Sequence, residues 1–86
     1  MNASAVVLIE ADRTAMQTLG SELAQIPGVR TVYAVTGEWD FVATVDVDAH
    51  NKLRTVISEH IQLLEGVART QTLVALDAHE GTGGPA

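Results

Sequence analysis

Apolar residues in this chain fall into short β-branched runs and longer runs with helical spacing. Ala5-Val6-Val7-Leu8-Ile9 is unbroken and ends at Glu10, which predicts a strand buried on both faces. Met16, Leu19, Leu23 and Ile26 then recur at three- and four-residue spacing, giving a helix with one apolar face. Thr14 with Gln17 fits a capping box at its start, and Asp12 is an alternative cap. Gly20 falls mid-helix at a cost of ~1 kcal/mol relative to alanine, and close packing is the one reason on offer. Pro27-Gly28 stops the helix, because proline cannot continue the ladder and glycine tolerates the turn.

A second strand is predicted over 29–35 and a third over 39–47, where Phe41, Ala43, Val45 and Val47 alternate with Val42, Thr44 and Asp46. Thr36-Gly37-Glu38 turns the chain between them, with Gly37 free to take a positive φ. Asp48 is the expected N-cap of a second helix. Its buried face is marked by Leu53, Val56, Ile57, His60, Ile61 and Leu64. Glu65-Gly66 closes that helix, and a last strand is expected over 67–76.

The two halves repeat. Ile26-Pro27-Gly28-Val29 and Leu64-Glu65-Gly66-Val67 occupy the same helix-to-strand corner. The fold class is therefore α+β, a ferredoxin-like βαββαβ domain over residues 1–77, with a flexible glycine-rich tail over 78–86. Right-handed crossovers place the first and third strands in the middle of a four-stranded antiparallel sheet. Both helices then lie on one face, leaving Val6 and Leu8 on the other in need of cover. Sheet-on-sheet homodimerisation, the dimeric α/β-barrel arrangement, is the expected solution.

Composition narrows the chemistry. At 86 residues the chain is one domain without cysteine, which removes disulfides, thiolate metal sites and cysteine nucleophiles. The start carries no signal-peptide pattern, so a soluble cytoplasmic protein is expected. Five basic residues against eleven acidic ones give a net charge of −6. Arg13, Arg30, Lys52, Arg54 and Arg69 are scattered, so direct nucleic-acid binding is not expected. The tail's Gly81-Thr82-Gly83-Gly84 precedes no helix and is not a phosphate loop. His50, His60 and His79 form no i,i+4 pair, so no metal or cofactor is expected.

The stretch Val32-Tyr33-Ala34-Val35-Thr36-Gly37-Glu38-Trp39-Asp40, with Ile26-Pro27-Gly28-Val29 and Gly66-Val67-Ala68-Arg69-Thr70-Gln71-Thr72-Leu73, closely resembles the effector (RAM) domain of Lrp/AsnC regulators. The resemblance covers about residues 4–76, and its most specific element is the threonine–glycine–x–x–aspartate hairpin. It implies domains that dimerise through their sheets, assemble into rings of dimers, and bind amino-acid effectors between dimers. By motif match it assigns ligand contact to Thr36, Gly37 and Asp40 in the hairpin and to Thr70 and Thr72 in the last strand, with His60 a further lining candidate. The chemistry suits a zwitterion: Asp40 for the ammonium group, Gly37 N–H and the threonine hydroxyls for the carboxylate. Because family members carry an N-terminal helix-turn-helix domain, this chain is expected to be a stand-alone version that acts through assembly or a full-length partner.

Each candidate also has a plainer role. A hairpin alone selects Gly37, Asp40 can bond turn N–H groups, and threonine is a good strand former. Glu38 and Asp40 sit on alternate residues, yet nothing near them supplies a nucleophile. Trp39 reads as a packing or interface aromatic. The expected function is a non-enzymatic amino-acid-binding and oligomerisation module. The alternatives are a cofactor-free enzyme of the dimeric α/β-barrel type and a purely structural oligomerisation partner.

Overall fold

The computed structural model describes residues 2–86, so Met1, the first residue of the expected domain, lies outside it. The elements are β1 (Ala3–Ala11), a 3₁₀ turn (Arg13–Ala15), α1 (Leu19–Ala24), β2 (Val29–Ala34) and β3 (Phe41–Val47), then α2 (His50–Arg54), a π-helical stretch (Thr55–Ile61) and β4 (Val67–Val74). The strands form one antiparallel sheet in the order β2-β3-β1-β4. This is the ferredoxin-like arrangement, with the first and third strands central.

Side-chain alternation along β1 sets the layers. Ala3, Ala5, Val7 and Ile9 are buried on the helix side, joined by Phe41, Ala43 and Val45 of β3. Leu19 and Leu23 of α1, Leu53 of α2, and Val56, Ile57 and Ile61 of the π stretch complete this core. On the other face, in-register rows run Tyr33–Val42–Leu8–Gln71 and Thr31–Thr44–Val6–Leu73. There Val6, Leu8 and Val42 are half-buried, while Tyr33 is 56% and Leu73 49% exposed. Within one chain β1 is thus covered on one face, not the two its apolar run predicts.

The repeated corners share one geometry. Gly28 and Gly66 both have φ of 98°, and each corner is closed by the same bond, Val29 N–H to Ile26 C=O at 3.0 Å and Val67 N–H to Leu64 C=O at 3.2 Å. Each corner is also tied to the opposite half. The Gly66 carbonyl accepts from Asp12 N–H (2.8 Å), and that of Gly28 from Asp46 N–H (2.9 Å). A Cβ on Gly66 would stand 2.5 Å from the Ala15 Cβ, so both backbone conformation and space demand glycine.

The helices depart from the expected pattern. The Thr14–Gln17 capping box does not form. Asp12 uses its backbone carbonyl to accept from Ala15 N–H (2.9 Å), and its side chain makes no cap bond. The first turn is 3₁₀, with i to i+3 bonds continuing to Thr18, and α1 begins only at Leu19. Tighter winding carries Met16 off the apolar face, leaving it 40% exposed. Gly20 finds its reason in Phe41, whose ring would be 3.0 Å from a Cβ there. Asp48 is not the second helix's cap; Ala49 holds that position, and Asp48 pairs with Lys52 at 2.7 Å. The π winding shows in Gln62 N–H donating to Ile57 C=O at 2.9 Å, a bond five residues back. Lengthening the turn moves His60 out of phase with Val56, Ile57 and Ile61, and His60 is exposed rather than buried. Strand β4 ends at Val74, and Leu76, expected within it, is 98% exposed. Among the described residues no helix is long and apolar enough to cross a membrane.

Gly66→Ala meets both a positive φ and a steric clash, so it is expected to lower the unfolding free energy by about 2 kcal/mol or more. Gly37→Ala, with φ of 115° and nothing within 4 Å of the added Cβ, is expected to cost only about 1 kcal/mol. Urea titration of both variants checks the order; equal losses would contradict the packing account of Gly66.

Candidate functional site

The connection over residues 35–40 is closed by Val35 N–H donating to Asp40 C=O at 3.0 Å. Asp40 then fastens the hairpin to β1. Its N–H donates to Ile9 C=O at 2.9 Å, and its Oδ2 accepts from Ala11 N–H at 2.8 Å. The carboxylate is needed there because the β1–β3 ladder ends at Ile9 and Phe41, leaving Ala11 N–H, on the same edge of β1 as the Ile9 carbonyl, with no strand partner. A plain structural duty for Asp40 is therefore present. Thr36, Gly37 and Glu38 form the exposed tip, and Gly37 takes the positive φ expected of it.

Thr70 and Thr72 pair across the sheet with Ile9 and Val7, which places them on the helix side of β4, half-buried. Thr70 lies at the hairpin end and accepts a long bond from Gln62 Nε2 (3.4 Å); Thr72 is one pleat farther away. His60 does not join them. It stands on the rim of a cavity of about 540 Å³ with Pro27, Gly28, Asp46, Val47 and Lys52, at the opposite end of β3 from Asp40. The charged groups of that cavity are already engaged, Asp48 with Lys52 and Asp46 with Arg30 and Ser4.

One residue of β4 does reach the hairpin, and sequence reasoning left it among the scattered basic residues. Arg69 is in register with Glu10 on the open face of the sheet. Its guanidinium lies 4.2 Å from the centroid of the Trp39 ring, with Nη2 3.6 Å from both Glu10 and Glu38. The available signal was the alternation of Arg69 with Thr70, which puts them on opposite faces; the link to Trp39 needed the register.

At the far end, Asp46 accepts from the Ser4 hydroxyl, its cross-strand partner, and from Arg30 Nη1 at 3.2 Å. These bonds, the Ser4 bond foremost, hold its carboxyl below the usual carboxylate value.

A family model described as the Lrp/AsnC ligand-binding domain matches residues 4–84. The chain belongs to this family. An uncharacterised HTH-type transcriptional regulator of Pyrococcus furiosus is 31% identical over 78 residues, covering 87% of this chain and 52% of that protein. This Lrp/AsnC chain thus spans about half the length of the curated relatives it matches. A protein from Thermus thermophilus superposes with a TM-score of 0.85 at 40% identity, covering 92% of this chain and 99% of that one. The feast or famine regulatory protein of M. tuberculosis, solved with L-methionine, superposes with a TM-score of 0.79 at 25% identity, covering 96% of this chain and 56% of its own.

The Asp46 bonds give this Lrp/AsnC domain a pH dependence of definite sign. A carboxyl depressed on folding contributes stability above its unfolded pKa and loses it as pH falls through the folded value. Wild type should exceed Asp46→Asn in stability at pH 7, with the gap narrowing below about pH 4. Denaturant titrations at pH 7 and pH 3 check this; a gap that widens in acid would refute it. The effect should be small, since the Asp46 side chain is 42% exposed.

Proposed function

We propose that this Lrp/AsnC domain is a non-enzymatic effector-binding and oligomerisation module. It pairs through its open sheet face, assembles dimers into a ring, and takes an amino acid where hairpins of adjacent dimers meet. Thr36, Gly37 and Asp40 form the hairpin part of that site, with Thr70 and Thr72 nearby on β4. Effector binding then alters transcription by changing assembly, or through mixed oligomers with a full-length regulator that supplies the DNA contact.

The observation that carries this reading is the uncovered sheet face. Val6, Leu8, Tyr33, Val42 and Leu73 form a contiguous patch on the side away from both helices. A patch of this kind marks an association surface, and a second identical sheet covers it symmetrically. The hairpin stands at the edge of that face, so assembly and binding share a border. An amino acid as effector is supported by the L-methionine bound to the M. tuberculosis protein and by the carboxylate of Asp40. The helix side favours binding over catalysis. Between sheet and helices, Val7, Ile9, Leu19, Leu23, Ala43 and Ile61 are all fully buried aliphatics, which leaves that layer filled with groups that cannot move protons.

Light scattering is expected to show a dimer or a multiple of it at tens of micromolar, and Leu8→Glu to yield monomer; a monomeric wild type would sink the proposal. In a thermal-shift screen of the amino acids, a ligand at about 100 times its Kd should stabilise by ~2.7 kcal/mol. Asp40→Asn keeps an oxygen for Ala11 N–H and removes the charge, so it should fold with a loss under about 1 kcal/mol yet lose the ligand shift. Asp40→Ala should lose the shift and about 1.5–3 kcal/mol of stability, the value of a charged hydrogen bond. A full ligand shift in Asp40→Asn would assign Asp40 to structure alone.

A further inference from the structure

The hairpin tip is held to the body from one side only. At its base, Asp40 is bonded to β1 through Ile9 and Ala11, and Val35 closes the loop. Beyond that base, Thr36, Gly37 and Glu38 are exposed, and a Cβ at Gly37 would meet nothing within 4 Å. The described residues give the tip two further attachments, and both go to Arg69: the stack on Trp39 and the ion pair with Glu38.

Strands β4 and β3 are not neighbours, since β1 lies between them. Arg69 therefore reaches across the end of β1, passing Glu10, to grip a loop two strands away. We propose that Arg69 is a positioning residue, a latch that holds the hairpin in its ligand-receiving shape through Trp39. This rests on the reading of the hairpin as the effector site.

Of the Arg69 contacts, only one is specific. Both carboxylates stand 3.6 Å from Nη2, beyond hydrogen-bond range, and both are well exposed, so salt screens them. The stack is different. A planar guanidinium over an indole face is held by the ring's quadrupole and by contact area, and lysine does not reproduce it. A ligand-receptor role for Arg69 is disfavoured by charge. Glu10 and Glu38 flank it and already share its charge, so a ligand carboxylate would have to displace both to pair with it. Holding Trp39 fixes its neighbour Glu38 and the backbone N–H of Gly37, beside an Asp40 that β1 already holds. Binding then no longer has to order the tip, and loop ordering is a major cost of association.

Trp39 is the sole tryptophan, so the latch can be read directly. The experiment is time-resolved fluorescence anisotropy of the full chain, without ligand, for wild type, Arg69→Met and Arg69→Lys, followed by titration with L-methionine. Arg69→Met keeps an apolar stem and removes the guanidinium; the exposed position favours folding of both variants. Wild type should show Trp39 turning with the whole particle. Arg69→Met should add a fast nanosecond component, and Arg69→Lys should resemble Arg69→Met more than wild type. The L-methionine Kd of Arg69→Met should weaken by about two- to fivefold, the order expected for loss of one exposed stacked cation. Anisotropy unchanged in Arg69→Met would overturn the latch. A freed Trp39 with unchanged affinity would overturn its positioning role. If wild type binds neither L-methionine nor any other amino acid, the effector reading fails, and the anisotropy alone still decides whether Arg69 fixes the hairpin.

Discussion

The backbone groups of β1 are consumed on both edges, by β3 from Ala3 to Ile9 and by β4 from Ala5 to Ala11. A buried N–H or C=O left unpaired costs as much as a lost hydrogen bond, so wherever β1's pairing falters something else must step in. It falters on the β3 edge beyond Ile9, where the ladder with β3 ends at Phe41. The carboxylate of Asp40 meets Ala11 N–H, and the N–H of Asp40 meets Ile9 C=O. The hairpin is thereby tied to the central strand by the same requirement that holds the sheet together. Both helices pack over the inward residues of this strand, and any partner that covers the open face must cover its outward ones.

Strands, corners and topology were legible because each rests on a local signal that the global fold reinforces. The β-branched runs could only be strands, and the two glycine corners announced the repeat by themselves. Helix detail was not legible. Thr14 and Gln17 have the right spacing for a capping box, but Asp12 is held by its backbone to Gly66, and Ala15 must sit against that glycine. Those constraints come from the other half of the chain and override a propensity worth about a kcal/mol or less. The second helix failed in the same way. His60 belongs to the apolar face at about 3.6 residues per turn and leaves it when the helix widens.

The candidate site shows the same division. Gly37 and Asp40 could be picked out from the hairpin itself, since a positive φ and an aspartate beside a strand are unusual enough to need a reason. Thr70 and Thr72 were placed on one strand face correctly, but only the register with Ile9 and Val7 reveals that it is the helix face. Arg69 was invisible for a similar reason. Its significance lies in contacts with Glu10, Glu38 and Trp39, at separations of 59, 31 and 30 residues, which no spacing rule connects.

The border between the two surfaces of this domain is narrow. Leu8 faces the open side of β1, Ile9 bonds Asp40 through its carbonyl, Glu10 meets Arg69 on the open side, and Ala11 bonds the Asp40 carboxylate. Four consecutive residues therefore face the open side and the hairpin in alternation. A strand cannot translate by a fraction of a residue without breaking its ladder. Movement at the hairpin base must then be taken up either by the irregular step at Glu10 and Ala11 or by the contacts of the open face. In the proposed assembly, that is a physical route by which an effector at the hairpin would change how two sheets meet without any hinge between domains. The coupling would lie in one strand's shared register, and the unpaired Ala68 of β4 beside it is the place where it has freedom to act.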